Sequence, residues 1–122
     1  MFEKIDLGQV DQEQVKCYAE ASLDFNPIHL DEDFAKAAGL EGRIAHGMLS
    51  MGLASKALGD WGFSLDKLIK FSSKFKDKVF LGERLFAIYI SQTRLESGLQ
   101  VDWKLSKEDG SDVLTAEAIF AD

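Results

Sequence analysis

The chain has 122 residues, enough for one ordinary domain and too few for a doubly wound nucleotide-binding fold with a second domain, so residues 1–122 read as one unit. With 46% apolar and 29% charged residues and a single proline, its composition is that of a folded chain. Fourteen Lys and Arg against 21 Asp and Glu leave a net charge of −7, which argues against a nucleic-acid binder and against a protein that lies on an anionic membrane.

No apolar run reaches the ~18 residues needed to cross a bilayer, and Met1-Phe2-Glu3-Lys4-Ile5-Asp6 lacks the basic-then-apolar order of a signal peptide. A cytoplasmic location is expected. Cys17 is the sole cysteine, which excludes an internal disulfide. With only His29 and His46 beside it as soft ligands, no metal site is expected.

In chain order, Phe2 to Gly8 reads as a short strand. Asp11, with Gln14 three residues on, forms a capping-box pattern that opens an amphipathic helix over residues 11 to 22, with Val15, Tyr18, Ala19 and Ser22 at helical spacing. Asp31 is placed to cap a shorter helix carrying Phe34, Ala35 and Ala38 on one side and ending at Gly39. Gly47 to Gly59 carries no charge before Lys56, so a helix there is apolar nearly all round and predicted to be buried.

The period then changes from 3.6 to 2. Ile69, Phe71, Ser73 and Phe75 alternate with Lys70, Ser72, Lys74 and Lys76, the mark of a strand with one wet face. Leu85 to Leu95, Leu99 to Lys107 and Val113 to Phe120 follow as strands. Their connectors, Glu96-Ser97-Gly98 and Glu108-Asp109-Gly110-Ser111, carry hairpin chemistry. Helices followed by consecutive antiparallel strands make an α+β fold in which one helix is wrapped by one curved sheet. Trp61 and Trp103 fit core or interface positions.

Asp24-Phe25-Asn26-Pro27-Ile28-His29 is the densest cluster of chemistry-bearing residues, expected in a loop between two helices. On a continuous helix Asp24 and His29 would lie about 140° apart. Pro27 excludes the helical region for Asn26, so the chain can fold back and bring carboxylate and imidazole to one point. Such a pair suits general acid/base work on a water. The same spacing also fits an Asx-turn aspartate and a half-buried histidine bonded to backbone. In the second cluster, Arg43-Ile44-Ala45-His46-Gly47, a glycine at a helix start offers its N–H to a developing oxyanion, or merely lets the helix end pack tightly. Gly47-Met48-Leu49-Ser50-Met51 is no nucleophile elbow, and no glycine-rich phosphate loop occurs.

Taken together, Asp24-Phe25-Asn26-Pro27-Ile28-His29-Leu30-Asp31, then Phe34-Ala35 and Ile44-Ala45-His46-Gly47-Met48, resemble the signature of the MaoC-like, (R)-specific enoyl-CoA hydratase family. Phe75, Val79, Gly82 and Glu83 resemble the family's strand-turn element. The resemblance covers nearly the whole chain. It implies a hotdog fold: a long central helix wrapped by about five antiparallel strands, in a homodimer. It implies reversible syn hydration of a trans-2-enoyl-CoA to an (R)-3-hydroxyacyl-CoA, without metal or redox cofactor. Asp24 and His29 match the pair that activates one water, and Gly47 matches the donor to the thioester carbonyl. Asn26, Pro27 and His46 are assigned to the supporting loop, and Ser55 to a supporting place on the helix. Arg43 and Lys78 stand where the family often has prolines.

The same residues would serve a 3-hydroxyacyl-[acyl carrier protein] dehydratase, and Arg43, Lys70, Lys74, Lys76 and Lys78 are a potential basic patch for a carrier protein or the phosphates of CoA. A thioesterase is disfavoured by the Asp24/His29 motif. A non-catalytic acyl-thioester-binding protein is the alternative from another class. A domain of this size, with a radius of gyration of about 14 Å, is too small to enclose a long acyl-pantetheine arm. The site is therefore expected at a dimer interface, with Trp61, Phe80 and Phe86 as interface residues.

Overall fold

The structure, a computed structural model, describes residues 2–122. Five strands form one antiparallel sheet in the order β1-β3-β4-β5-β2, with β1 at Ile5–Gln9, β2 at Leu68–Phe75, β3 at Arg84–Leu95, β4 at Gly98–Lys107 and β5 at Asp112–Phe120. The helices α1 (Gln12–Ser22), α2 (Pro27–Leu30), α3 (Glu32–Ala37) and α4 (Gly47–Asp60) precede β2, and α4 packs on the sheet. This is the α+β hotdog arrangement expected, as an open sheet. No helix among the described residues is long and apolar enough to cross a membrane.

Local chemistry sets the elements. At α1 the Asp11 carboxylate accepts from the Gln14 N–H at 2.8 Å while the Gln14 side chain accepts from the Asp11 N–H at 3.1 Å, the complete capping box. Asp31 caps α3 through the Phe34 N–H, at 3.0 Å. On β4, Val101, Trp103 and Leu105 alternate into the core with no exposed surface, and the Trp103 indole N–H donates to the Ala54 carbonyl oxygen of α4 at 3.0 Å. At the β3–β4 hairpin, Gly98 is obligatory: with φ +147°, a Cβ there would stand 2.0 Å from the Phe120 carbonyl oxygen.

Four details differ from the sequence reading. The loop expected after α1 contains a helical turn, α2, opened by Pro27, because proline lacks only an N–H that a helix start would leave unpaired. On α3 only Ala35 is buried, and Phe34 is exposed. Ile69 is out of phase with Phe71: a bulge between Leu68 and Lys70 against β5 inserts one residue and leaves Ile69 59% exposed. The helix α4 is covered on one side only, burying Ser50, Ala54, Ala57 and Leu58 and leaving Met48 57% exposed, because a single sheet offers it one wall.

The β2–β3 connector is held by a buried ammonium. Lys107, 9% exposed, reaches Asp77 at 3.2 Å and Glu83 at 3.0 Å. Burial works against its charge, but those two hydrogen bonds outweigh it and hold its pKa above the ordinary lysine range. In return, the Lys107 ammonium, helped by the Lys78 N–H, holds the Asp77 carboxyl below the usual carboxylate range. Asp6, beside the Gly8 N–H and Arg84, and Asp112, beside Lys104, are lowered as well.

Depressed carboxyl values contribute stability that is present above the unfolded aspartate value, about 3.9, and lost as pH falls through the lower folded values. The raised Lys107 value contributes stability lost only on passing upward through the lysine range. The melting temperature should therefore be flat near neutrality and fall in acid below about pH 4. Asp77→Asn should melt lower at pH 7 and show a shallower acid limb. Thermal unfolding monitored by circular dichroism across pH checks both.

Candidate active site

The site is assembled where α1 ends. Leu23 takes the left-handed conformation at φ 60°, the one non-glycine among the described residues to do so, and turns the chain out of α1. The Asp24 carboxylate then accepts from the Asn26 N–H at 3.2 Å, and the Asn26 side chain accepts from the Ile28 N–H at 3.2 Å as the cap of α2. Two successive Asx turns and Pro27 thus reverse the chain within five residues. Exposed Asp24 and buried His29 and His46 each present a ligand-type atom, all within 4.8 Å of one another.

Each imidazole is aimed by a backbone carbonyl. His29 donates its Nδ1–H to the Ile44 carbonyl oxygen at 2.8 Å, which in the neutral ring leaves the Nε2 lone pair free. His46 donates its Nε2–H to the carbonyl oxygen of Asp24 itself at 3.0 Å, and its Nδ1 is buried without a partner among the described residues. The two rings stack with centroids 3.8 Å apart and planes at 28°, and the Tyr18 ring lies 4.8 Å from that of His46. Both readings of Asp24 and His29 are thus present together: the turn and backbone bonds form, and they bring carboxylate and imidazole together. The same three residues have the spacing of a metal site. In each ring one nitrogen donates to a backbone carbonyl, which leaves the other nitrogen to face a water or another ligand.

Beside His29 lies a cavity of about 270 Å³ whose wall includes Gly47, Ser50, Phe75, Lys78 and Val79. Gly47 is the first residue of α4. Its N–H has no protein acceptor among the described residues, and no acidic residue in the first turn neutralises the helix dipole. The packing explanation for the glycine fails: a Cβ there would lie 3.5 Å from the Phe75 ring, an ordinary contact, and the backbone is not left-handed. What the glycine leaves open is cavity space. His29 and Gly47 line this one cavity, and the Asp24 carboxylate lies within 4.8 Å of a His29 ring nitrogen. An imidazole, a nearby carboxylate and an unpaired N–H are the parts needed to move a proton on a water and to stabilise an oxyanion.

Other sequence assignments fall elsewhere. Ser55 donates to the Gly52 carbonyl oxygen at 2.7 Å and faces a separate groove with Met48, Met51 and Phe71, so one chain does not bring it to Gly47. Ser50, considered in sequence only as a nucleophile, is buried and lines the cavity one turn beyond Gly47, a position its i+3 spacing would have revealed. Arg43 does not join the lysines: it donates to the Leu30 carbonyl oxygen and to Gln12 and lies near Glu32. Lys70, Lys74, Lys76 and Lys78 have no carboxylate within 4.0 Å among the described residues.

Comparison with known proteins bears on this site. The family described as MaoC like domain matches residues 3–103. An (R)-specific enoyl-CoA hydratase of Aeromonas caviae is 31% identical over 109 residues, 87% of this chain and 81% of that protein. The solved (R)-hydratase from A. caviae involved in PHA biosynthesis superposes with a TM-score of 0.79 at 29% identity, over 96% of this chain and 92% of that one. A mitochondrial 3-hydroxyacyl-[acyl-carrier-protein] dehydratase of Arabidopsis thaliana is 33% identical over 76 residues, 62% of this chain. The chain spans 45% of the length of that dehydratase and about a twentieth of the fatty acid synthase beta subunits of Emericella nidulans that it also matches.

Since neither backbone nor packing demands a glycine at position 47, Gly47→Ala should melt within about 2 °C of the wild type, whereas Gly98→Ala should melt lower by about 10 °C or more. Thermal unfolding of the two variants checks whether Gly47 has a structural reason to be glycine.

Proposed function

The chain belongs to the MaoC-like domain family, and from that premise we propose that it adds water to a trans-2-enoyl-CoA to give the (R)-3-hydroxyacyl-CoA, reversibly. The observation that carries the proposal is that the Asp24 carboxylate lies within 4.8 Å of a ring nitrogen of His29, which shares the lining of one cavity with Gly47.

One water sits between the Asp24 carboxylate and His29 Nε2. Its oxygen bonds to C3 of the enoyl group while the C2=C3 π pair shifts toward the thioester, placing negative charge on the carbonyl oxygen. The Gly47 N–H and the positive end of α4 stabilise that charge. The Asp24/His29 pair takes the proton from the water and delivers one to C2, so the elements of water are added with no net change of oxidation state. The step uses no metal or redox cofactor. Asn26 and Pro27 hold the turn, and His46 holds the Asp24 carbonyl.

Dehydration of a 3-hydroxyacyl-[acyl carrier protein] is the second reading. It is favoured by the mitochondrial dehydratase relative and by the unpaired lysines of β2 and its following loop, which suit an acidic carrier protein as well as the phosphates of CoA. The active unit is a homodimer. Support comes from the open flank of α4, where Met48, Met51, Gly52, Ser55 and Phe71 line an apolar groove of about 240 Å³ for a second copy. Trp61, Phe80 and Phe86, also expected at the interface, are only partly buried and make contacts within the chain: Trp61 donates to the Glu3 carbonyl oxygen, Phe86 lies under Lys4, and Phe80 lies by Lys107.

Loss of enoyl-thioester absorbance with crotonyl-CoA, and with the matching enoyl-carrier protein, tests the reaction and the carrier. Asp24→Asn and His29→Ala should each lower turnover by about 100-fold or more, and Gly47→Ala should lower it in a fully folded protein. Wild-type protein inert on both substrates would leave acyl-thioester binding without catalysis. Light scattering at micromolar concentration should give twice the chain mass, and a monomeric mass would overturn the dimer.

A further inference from the structure

Lys107 stands outside the cavity, on the last residue of β4, yet it grips both ends of the segment that forms one wall of the cavity. Its ammonium is 3.2 Å from Asp77 at the start of the β2–β3 connector and 3.0 Å from Glu83 at its end. Both acids pass the constraint into the backbone: Asp77 accepts from the Lys78 N–H at 2.9 Å, and Glu83 from the Phe80 N–H at 2.8 Å. Lys107 is itself fixed, paired with Leu85 on β3 and bonded through its backbone to Ser111 and Gly110.

The connector in turn holds the segment before α4. The Ala45 N–H donates to Val79 O at 2.8 Å, the Leu81 N–H to Arg43 O at 3.2 Å, and Ile44 bridges to Phe80. Ile44 lies in the middle of that pairing, and its carbonyl oxygen receives the His29 Nδ1–H at 2.8 Å. We infer that Lys107 is a positioning residue of the site: by closing both ends of the connector on one buried charge, it fixes the strand-like pairing that aims the Ile44 carbonyl at His29 and sets the cavity wall at Val79 and Lys78. Removing the ammonium leaves two carboxylates facing each other at the ends of the connector, so the wall opens instead of merely losing a contact. The consequence for turnover rests on the hydratase reading, while the consequence for the His29 ring does not.

The test compares Lys107→Met and Lys107→Arg in the intact chain, at a temperature where circular dichroism shows each to be folded. The readouts are the His29 Nδ1–H resonance in proton–nitrogen spectra and the separate kcat and KM on crotonyl-CoA. We expect a sharp ring N–H signal in the wild type and in Lys107→Arg, broadened or shifted in Lys107→Met. A kcat lower by about tenfold should accompany that change, with recovery to within about twofold in Lys107→Arg. Glu83→Gln, which weakens one anchor with a side chain of the same shape, should show the same changes at smaller amplitude and decides the matter if Lys107→Met does not fold. An unchanged ring resonance in folded Lys107→Met or Glu83→Gln, despite a lower melting temperature, would overturn the inference and leave Lys107 a stabilising residue only. Were the wild type inert on crotonyl-CoA, the hydratase reading would fail separately and the resonance would still decide for Lys107.

Discussion

Trp103 lies at the core of the sheet with no exposed surface and donates its indole N–H to the Ala54 carbonyl oxygen halfway along α4. A buried indole needs such a partner, and a mid-helix carbonyl accepts it only where the helix lies close to the strand. Ala54 and Ala57, both fully buried, provide that closeness. The Phe71 ring from β2 meets the same indole nearly at right angles, with centroids 5.4 Å apart. The position of α4, and with it the place where its first N–H meets the cavity, follows from this contact. So does the uncovered flank, since the sheet that holds the helix reaches only one side of it.

The groups of the candidate site are held almost entirely by backbone. Carbonyls of Ile44 and Asp24 orient the two imidazoles, turn N–H groups hold Asp24 and Asn26, and Gly47 opens a helix with an N–H that has no protein acceptor among the described residues. Backbone groups move only with the segments that carry them. Orientation of the site is therefore a property of three stretches, residues 24–29, 43–47 and 77–83, and of whatever ties them together. The stacking of His46 on His29 joins the first two, and the ladder of bonds from Arg43, Ile44 and Ala45 to the connector joins the second to the third.

Charge is distributed with the same division. The chain as a whole has an excess of acid, while Lys70, Lys74, Lys76 and Lys78 of β2 and the following loop have no carboxylate within 4.0 Å of their ammonium groups among the described residues. Lys78, the one lysine in the wall of the cavity, brings positive charge to the site.

Much of this was legible in the chain because it is local. The capping box at Asp11 and Gln14, the alternation through Val101, Trp103 and Leu105, and the Asp24 to His29 turn each depend on residues a few positions apart, whose backbone preferences act before any tertiary contact forms. The Ile69 bulge was not legible, since it depends on the register of β5, fifty residues away in sequence. Ser55 and Gly47 share a helix, but which groove each one faces is decided by the sheet that covers part of α4. Arg43 looked like a free cation because Gln12 and the Leu30 carbonyl that hold it are remote or belong to the backbone. By itself the sequence determined most of the elements and the chemistry-bearing turn, consequences of short-range sterics and hydrogen bonding, and it carried the family resemblance. Only the tertiary structure decided which groups face one cavity, which side of α4 is bare and how Lys107 joins the site, because those depend on long-range packing that no local pattern encodes.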